Sequence, residues 1–313
     1  MKYKFIETHQ DDYLVTEMCE CYDAKPSGYY AWKEREPSQR SIDELAYSER
    51  IKEFYEASSE REGHRSIYSR LQDEEVPCGR DKVLKMMKDM GISGAQKKTF
   101  KPQGTDSNHK LGYSPNLLKA RGVPTAPDQL WVCDTTYLMV EGGWHYLATV
   151  MDLSSRRLIG WEVSESNDAD LVCDALYAAV STRGGFIPEG LILHSDRGST
   201  YASDKHRKVL KKFGIEQSMS AKGNCYDNAA MESFYGRYKT SSVGKLIFAN
   251  LEALRANVFE YIECYYNGYR KHSSLGYKTP IQIEEKNFPP GGRELGNVTL
   301  QSPQTTITKI NSK

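Results

Sequence analysis

Residues 191–201 read "LILHSDRGSTY", a short apolar run that ends in a polar, glycine-containing turn. The apolar run predicts a buried strand, and Asp196 stands where that strand ends. A carboxylate flanked by His194 and Arg197 fits either a salt-bridged turn or a metal ligand. The second interpretation requires further carboxylates elsewhere in the chain.

A second acid lies inside an apolar strand pattern. Asp134 interrupts "LWVCDTTYL" (130–138), which is largely apolar on both sides of the acid and therefore predicts a central strand covered on both faces. An unpaired carboxylate there would cost several kcal/mol, so it must be neutral, paired or metal-bound. One such acid fits a structural ion pair, whereas two at the ends of neighbouring strands favour a shared cation.

A third acid lies in a predicted helix, "DNAAMESFYGRYK" (227–239), which Asp227 or Asn228 is suited to cap. Glu232 lies on the shoulder of the apolar stripe, and Lys239 follows on nearly the same face, roughly 10 Å along the axis. This arrangement suits a polyanion lying across the site, although an ordinary surface Glu and Lys would be the better interpretation if Glu232 stood alone. The stripe has helical spacing and consists of Met231, Phe234, Tyr235 and Tyr238.

The pattern around these acids predicts an α/β fold with a mixed sheet and helices packed on its faces. Three β-rich runs are followed by a helix, a strand, a helix, a short strand and further helices. The predicted strands cover 130–140, 144–153, 156–164, 190–195 and 215–219, and the predicted helices cover 168–182, 203–213, a segment from 229, and 250–267.

The segment before this region is predicted to be helical from residue 1 to 92. Residues 63–92 have the plan helix, short turn, helix, which is typical of helix-turn-helix DNA readers but also of a plain helical hairpin. Its second helix carries the candidate DNA contacts Arg80, Lys82 and Lys85. The remaining predicted segments are a basic, proline-containing linker (93–127), a catalytic core (128–245), a C-terminal helical extension (246–285) and a polar tail (286–313).

Composition excludes several classes of protein. Hydrophobic residues make up 39% and charged residues 27%, as expected of a globular protein, and no apolar run is long enough for a membrane span. The N-terminus lacks the pattern of a secretory signal. The seven cysteines are scattered and form no CxxC pair, which favours free thiols in a reducing cytoplasm over disulfides or a zinc site.

The net charge is zero, but the bases are distributed unevenly. Residues 80–119 carry nine bases against three acids, and residues 200–245 carry nine against four. Such segments contact phosphate in some proteins and form a solvated face in others, and charge alone does not decide between the two.

Several stretches of the chain together resemble a known family. "WVCDTTYL", "HSDRGSTY", "GNCYDNAAMESFYGRYK" and "YYNGYRKHSSLGYKTPIQ" follow in this order and resemble the second-frame (orfB-type) transposases of the IS-three insertion-sequence family. "PSGYYAW" and "GHRSIYSRL" resemble the N-terminal region of that product. Asp134, Asp196 and Glu232 look like the Asp-Asp-Glu (DDE) triad of transposases and retroviral integrases.

The resemblance implies a ribonuclease-H-like catalytic core. In it Asp134, Asp196 and Glu232 would be catalytic and would hold two Mg²⁺ or Mn²⁺ ions beside a scissile phosphate, and Lys239 would hold a phosphate. Hard oxygen ligands suit these cations. Weaker candidates for contacts with DNA are His194, for which a packed strand-end histidine is an equal alternative, and Lys222, Asn224 and Arg270.

The resemblance also implies partners. DNA, as element terminal repeats and as target, would be the substrate, and the protein would act as a homo-oligomer on it. No His-His-Cys-Cys spacing occurs, so no zinc is expected. In the family the active transposase is usually a fusion with an upstream-frame polypeptide, which is therefore an expected partner. We expect no membrane association, and a bacterial cytoplasmic location with the protein on the nucleoid when it binds DNA.

Three hypotheses about function follow. The first is a DDE-type polynucleotidyl transferase that cuts element ends and joins the 3′-hydroxyl to target DNA. The second is a non-catalytic DNA-binding regulator, or an accessory subunit of a fused transposase. The third, a hydrolytic nuclease such as ribonuclease H, shares the core chemistry but does not explain the long terminal regions.

Overall fold

The structure is a computed structural model that describes residues 2–95, 112–118, 122–220, 228–244 and 246–287. It divides the chain into two compact units, Met1–Ser93 and Gly94–Lys313. Most of the predicted linker and nearly all of the predicted polar tail lie outside the described residues.

The first unit is helical, as the sequence predicts. Local signals start its helices: Pro26 occupies the first turn of one, and the Ser38 side chain accepts a hydrogen bond of 3.2 Å from the backbone N–H of Ser41 at the start of another. The helices are α1 (Lys2–Thr8), α2 (Val15–Cys21), α3 (Pro26–Lys33), α4 (Gln39–Ala57), α5 (His64–Asp73) and α6 (Arg80–Asp89).

Helices α5 and α6 form the predicted helix, turn and helix. Their apolar residues share one core with α4, namely Ile51, Ile67, Leu71, Val83 and Met87. A buried ion pair supports α5, because Arg70 donates to both carboxylate oxygens of Glu62, at 2.7 and 2.8 Å. A bidentate pair of this kind fixes geometry as well as charge.

The second unit is built on a five-stranded sheet with the order β3-β2-β1-β4-β5. Strands β1, β2 and β3 run antiparallel, whereas β4 and β5 run parallel to β1. Strand β1 is therefore central, as its apolar residues predict. The strands are β1 (Leu130–Val140), β2 (Gly143–Asp152), β3 (Leu158–Ser164), β4 (Ile192–Ser195) and β5 (Glu216–Met219).

Helices cover both faces of the sheet. Alternate residues of β1 point to opposite faces, so Trp131 packs against α7 (Ala169–Thr182), α8 (Ser199–Ala202) and α9 (Asp204–Phe213). Val132 instead packs against the other layer. That layer contains α10 (Ala229–Tyr238), a π-helix (Lys239–Val243), α11 (Leu251–Phe259) and a second π-helix (Glu260–Asn267), followed by a 3-10 turn (Ser273–Leu275) and α12 (Pro280–Asn287).

The contact between α7 and β3 requires a glycine. A Cβ atom at Gly160 would meet the carbonyl oxygen of Ala175 and would lie 2.5 Å from the backbone nitrogen of Ala179. Backbone atoms cannot move away as a flexible side chain can, so only glycine lets the helix approach the strand this closely.

A buried ionic network ties the C-terminal helix α12 to the edge of the sheet. Arg183 donates to Asp128 at 2.7 Å and to both oxygens of Glu284 at 2.6 and 2.8 Å, while Arg157 donates to Glu284 at 2.6 Å. Burial raises the pKa of the nearby Asp152 carboxyl. At Glu284 burial has the same tendency, but the bonds and charges of Arg183 and Arg157 lower the pKa of its carboxyl. The C-terminal extension is thus part of the structure of the second unit.

The arrangement confirms the ribonuclease-H-like fold that the resemblance implied. The predicted helix at 203–213 begins one residue later, since Ser203 is the N-cap. The predicted helix at 250–267 becomes a π-helix from Glu260 onward. Asn228 occupies the predicted N-cap position of its helix, but its side chain makes no cap hydrogen bond, and the alternative cap Asp227 lies outside the described residues. In the described part of the chain, no helix has the length and apolarity to cross a membrane.

Candidate active site

Asp134 lies near the middle of the central strand β1, where it is partly buried. One of its carboxylate oxygens accepts a hydrogen bond from the backbone N–H of Thr135 at 2.8 Å. Its backbone carbonyl accepts from the Tyr235 hydroxyl at 2.6 Å, and that hydroxyl is 2.8 Å from Thr149 Oγ1 on the neighbouring strand. A tyrosine hydroxyl donates only one hydrogen, so Thr149 is the donor in the second bond. Asp134 is thus held between two strands and a helix.

Asp196 follows the last residue of β4, directly beside β1. Its Oδ1 accepts from the backbone N–H of Gly198 at 2.9 Å, which closes a tight turn over the strand end. A Cβ at Gly198 would lie 3.0 Å from that same oxygen, so the glycine permits the close approach. The turn "DRG" therefore fixes the direction of the carboxylate.

Glu232 lies in the first turn of α10 and is exposed, whereas the four predicted stripe residues of this helix are buried. Lys239 follows the last residue of the helix. Its ammonium nitrogen lies 4.3 Å from the centre of the Tyr137 ring, which belongs to β1. The helix therefore brings an acid and a base near the central strand that carries Asp134.

The electrostatics show that these groups are neighbours. Burial, followed by the negative charges of Asp196 and Glu232, raises the pKa of the Asp134 carboxyl from the ordinary 3.8 to about 8. Burial lowers the pKa of the Lys239 ammonium to about 8, against the attraction of Asp134. A carboxylate under such repulsion is stabilised by a cation. However, among the residues that the structure describes, no three His, Cys, Asp or Glu side chains lie where they could hold a metal ion together.

Two residues, Tyr235 and Asn228, hold the structure around Asp134 in place, and the sequence did not predict this role for either. Tyr235 was predicted only as part of an apolar stripe, because its spacing gives no sign of the bond to Asp134. Asn228 was predicted only as a helix cap, yet it is buried, and its amide donates to the Cys133 carbonyl at 3.3 Å. Its amide oxygen has no partner among the described residues. Asn228 thus fastens the start of α10 next to Asp134.

Three further residues of this unit were predicted from the sequence as possible contacts with DNA, namely His194, Lys222 and Asn224. His194 is fully buried, and its ring nitrogens lie 2.9 Å from Ser218 Oγ and 3.2 Å from Ser220 Oγ. The packed strand-end histidine thus fits the structure, whereas a contact with DNA does not. Lys222 and Asn224 fall outside the described residues.

In the first unit, the predicted DNA contacts lie on α6. Arg80 and Lys85 are exposed, and Lys82 is half-buried, with its nitrogen 3.3 Å from a Glu44 oxygen and 4.9 Å from the centre of the Tyr47 ring. The Lys82 side chain thus already contacts residues of its own unit, whereas the side chains of Arg80 and Lys85 are exposed to solvent.

Comparisons with protein families agree with this division of the chain. A model described as an integrase core domain matches residues 124–225, and a second integrase core domain model matches residues 213–280. A model described as an HTH-like domain matches residues 42–100, which contain α5 and α6.

The relatives extend the match over almost the whole chain. An uncharacterized 31 kDa protein of insertion element IS600 from Shigella sonnei is 38% identical over 269 residues, covering 86% of this chain and 98% of that protein. Transposase InsF for insertion sequence IS3A from Escherichia coli (strain K12) is 37% identical over 290 residues, covering 92% of this chain and all (100%) of that protein. The chain therefore belongs to the IS3 family of insertion-sequence transposases.

Solved structures with a similar fold are more distant. The HTLV-2 integrase catalytic core domain, solved in complex with magnesium in a dimeric form, is 18% identical. The match covers 51% of this chain and 96% of that chain, with a TM-score of 0.36.

Proposed function

We propose that this chain is a metal-dependent DNA strand transferase whose catalytic acids are Asp134, Asp196 and Glu232. The observation that carries the proposal is the Asp134 carboxyl, whose pKa is raised to about 8 by burial and by the charges of the other two acids. A buried carboxyl that feels the negative charges of two further acids is stabilised by a positive partner, and a divalent cation would supply one.

The chemistry of these side chains fits Mg²⁺ or Mn²⁺. All three supply hard carboxylate oxygens, and the neighbouring Cys133 and His194 are occupied within the core. The ions would be held by Asp134, Asp196 and Glu232. By analogy with other phosphoryl-transfer sites, we expect two ions. When bound, the ions supply a nucleophile at neutral pH and neutralise charge on the leaving oxygen.

Both steps replace one oxygen substituent of phosphorus by another: cleavage is a hydrolysis and strand transfer is a transesterification. In cleavage, the oxygen of water bonds to phosphorus, the bond from phosphorus to the 3′ oxygen breaks, and that oxygen takes a proton. In strand transfer, the freed 3′-hydroxyl attacks a target phosphodiester in the same way, so one ester bond replaces another and no energy source is needed. Lys239 would bind a non-bridging phosphate oxygen, with Tyr137 beneath its ammonium group.

Supporting residues of the chain keep the acids in place. The Tyr235 hydroxyl fixes the backbone of β1 at Asp134, and Asn228 anchors to β1 the start of α10, the helix that carries Glu232. The turn at Gly198 orients Asp196. Preorganised groups of this kind lower the reorganisation required in the transition state.

The first unit would bind DNA through its helix-turn-helix, with Arg80 and Lys85 on the exposed side of α6. Substrates would be the terminal repeats of the element and target DNA. The working assembly would be a homo-oligomer on DNA in the bacterial cytoplasm, with the upstream-frame polypeptide as a further partner.

The test uses the full chain with labelled terminal-repeat duplexes and Mn²⁺, with and without the upstream polypeptide. Wild-type protein should nick the duplex and leave RNA–DNA hybrids intact, and Asp196→Asn should abolish nicking. Asp204→Asn, which changes an exposed acid on α9, is the matched control and should retain activity. Metal-independent binding without cleavage, even with the upstream polypeptide, would refute the proposal in favour of a non-catalytic regulator.

A further inference from the structure

Three arginines from separate segments converge around one buried aromatic ring. Arg156 lies in the turn between β2 and β3, Arg237 lies in the last turn of α10, and Arg270 follows the second π-helix. The ring at the centre is Tyr266, which is buried. These residues are far apart in the chain, and none is part of the acid site.

Packing contacts place Arg270 at the Tyr266 ring and bring the segments of the other two arginines toward it, and the charges of all three act on Tyr266. The Arg270 guanidinium lies 5.6 Å from the centre of the Tyr266 ring. The ring of Phe234 lies 4.9 Å from Tyr266, and Arg237 follows it by one turn of the same helix. On the other side, Asn267 exchanges two hydrogen bonds with the backbone of Leu158, at 3.0 and 2.9 Å, which holds the β2–β3 turn and its arginine against the π-helix.

A buried histidine orients one of the arginines. Arg270 Nη1 lies 2.8 Å from Nδ1 and 2.7 Å from Nε2 of His272, and because guanidinium can only donate, an unprotonated nitrogen of the imidazole must be the acceptor. Burial, followed by the charges of Arg270, Arg237 and Arg156, lowers the pKa of His272 to about 2. The histidine is thus a neutral acceptor that holds Arg270 without neutralising it.

The cluster lacks compensating negative charge. Other arginines of this unit, such as Arg157 and Arg255, pair with Glu284 and Glu162. Within the described part of the chain, by contrast, none of the three clustered arginines forms an ion pair. Burial and the nearby Arg270 lower the pKa of Arg237, as expected for like charges held together. An anion would relieve this repulsion.

We propose that Arg156, Arg237 and Arg270 form a binding site for one phosphodiester of the DNA backbone, separate from the acid site. Guanidinium groups bind phosphate oxygens through paired, directional hydrogen bonds and cannot lose their charge at physiological pH. The site rests on the proposed function, since that function supplies DNA as the ligand.

In this proposal, helix α10 contacts the DNA at two places. Glu232 and Arg237 are five positions apart, which separates them by about 140° around the helix and roughly 7–8 Å along it. One side of the helix faces the reacting phosphate, and the other side holds a phosphate farther along the DNA. The second contact would fix how the duplex lies across the catalytic helix.

The test measures binding of the full chain to a fluorescein-labelled terminal-repeat duplex in EDTA, where no cleavage occurs, over a range of salt concentrations. For the variant Arg156→Ala/Arg237→Ala/Arg270→Ala we expect the slope of log affinity against log salt to shrink by about 0.9, the value for one lost phosphate. We also expect affinity to fall by about 10- to 100-fold, as for lost charge-assisted hydrogen bonds. Arg255→Ala, which removes one paired arginine of the same unit, is the control and should keep the wild-type slope.

Two further arms make the outcome decisive. Arg270→Lys, which keeps the charge but not the fork, should keep the slope and lose affinity, and this separates binding from misfolding. A triple variant with wild-type slope and affinity would overturn the inference. A second outcome would also overturn the inference: inorganic phosphate raises the thermal midpoint of the wild type but not of the triple variant, while both proteins show the same salt slope for DNA. The site would then bind a free anion rather than DNA.

Failure of the site and failure of the proposed function are distinguishable. If the wild type nicks DNA with Mn²⁺ and the triple variant binds normally, only the site is refuted. If the wild type binds with the predicted slope difference but never nicks, the phosphate site stands and the strand-transfer proposal fails.

Discussion

Replacing Asp134 by asparagine should stabilise the metal-free protein. The carboxyl has a pKa of about 8 in the folded chain, against the ordinary 3.8. The folded state therefore binds more protons than the unfolded state between these two pH values, and stability falls as pH rises through that window. Asparagine carries no charge at any pH, and its side-chain oxygen can still accept the hydrogen bond from Thr135.

The magnitude follows from the two pKa values. Each pKa unit is worth ~1.4 kcal/mol, so the raised pKa lowers the free energy of unfolding by ~2 kcal/mol at pH 5, ~4 kcal/mol at pH 7 and ~5 kcal/mol at pH 8, relative to a carboxyl with the ordinary pKa. We expect the advantage of Asp134→Asn over the wild type to grow by about 3 kcal/mol between pH 5 and pH 8.

The assay is urea unfolding in EDTA, followed by tryptophan fluorescence. Three of the four tryptophans (Trp131, Trp144 and Trp161) belong to the catalytic unit, so the signal reports mainly its unfolding. Asp204→Asn is the control, since this acid is exposed and should show no such pH trend. Equal stability of Asp134→Asn and wild type at pH 8 would refute the reasoning, because the carboxylate would then be under no electrostatic strain.

Three further changes test the supporting structure. Tyr235→Phe removes the hydroxyl that bonds to the Asp134 carbonyl. It should lower the free energy of unfolding in urea by about 1–2 kcal/mol and reduce nicking. Unchanged nicking would argue against a positioning role. Gly160→Ala should destabilise the catalytic unit by ~1–3 kcal/mol or more, and a thermal midpoint equal to wild type would contradict the tight helix contact. Glu284→Gln leaves Arg183 incompletely paired and should cost roughly 3–5 kcal/mol, which calorimetry would detect, and a small effect would show that the network does not anchor the C-terminal helix.

Local patterns are enough to predict the sheet and two of the acids. The apolar residues around Asp134 indicate a central strand, and the run before Asp196 indicates a second buried strand, because burial on both faces leaves a continuous apolar pattern. The stripe of α10 likewise indicates its buried face. Glu232 is different, because its place beside Asp134 depends on how the helix packs across the sheet.

Contacts between distant segments account for what the sequence did not predict. Tyr235 looks like any other residue of an apolar stripe, and only the folded chain shows its hydroxyl at Asp134. His194 next to an acid is compatible with DNA binding or with packing, and two serines from a different part of the chain decide between them. The arginine cluster joins three segments, so no local pattern could have indicated it.

The most direct test of the catalytic proposal is a crystal structure of the full chain with terminal-repeat DNA and Mn²⁺, with the ions located by anomalous scattering. We expect two ions about 3.5–4 Å apart, with carboxylate oxygens of Asp134, Asp196 and Glu232 at roughly 2.1 Å from them and a DNA phosphate between. Manganese bound elsewhere, or the three carboxylates pointing away from any common ion, would contradict the proposed active site.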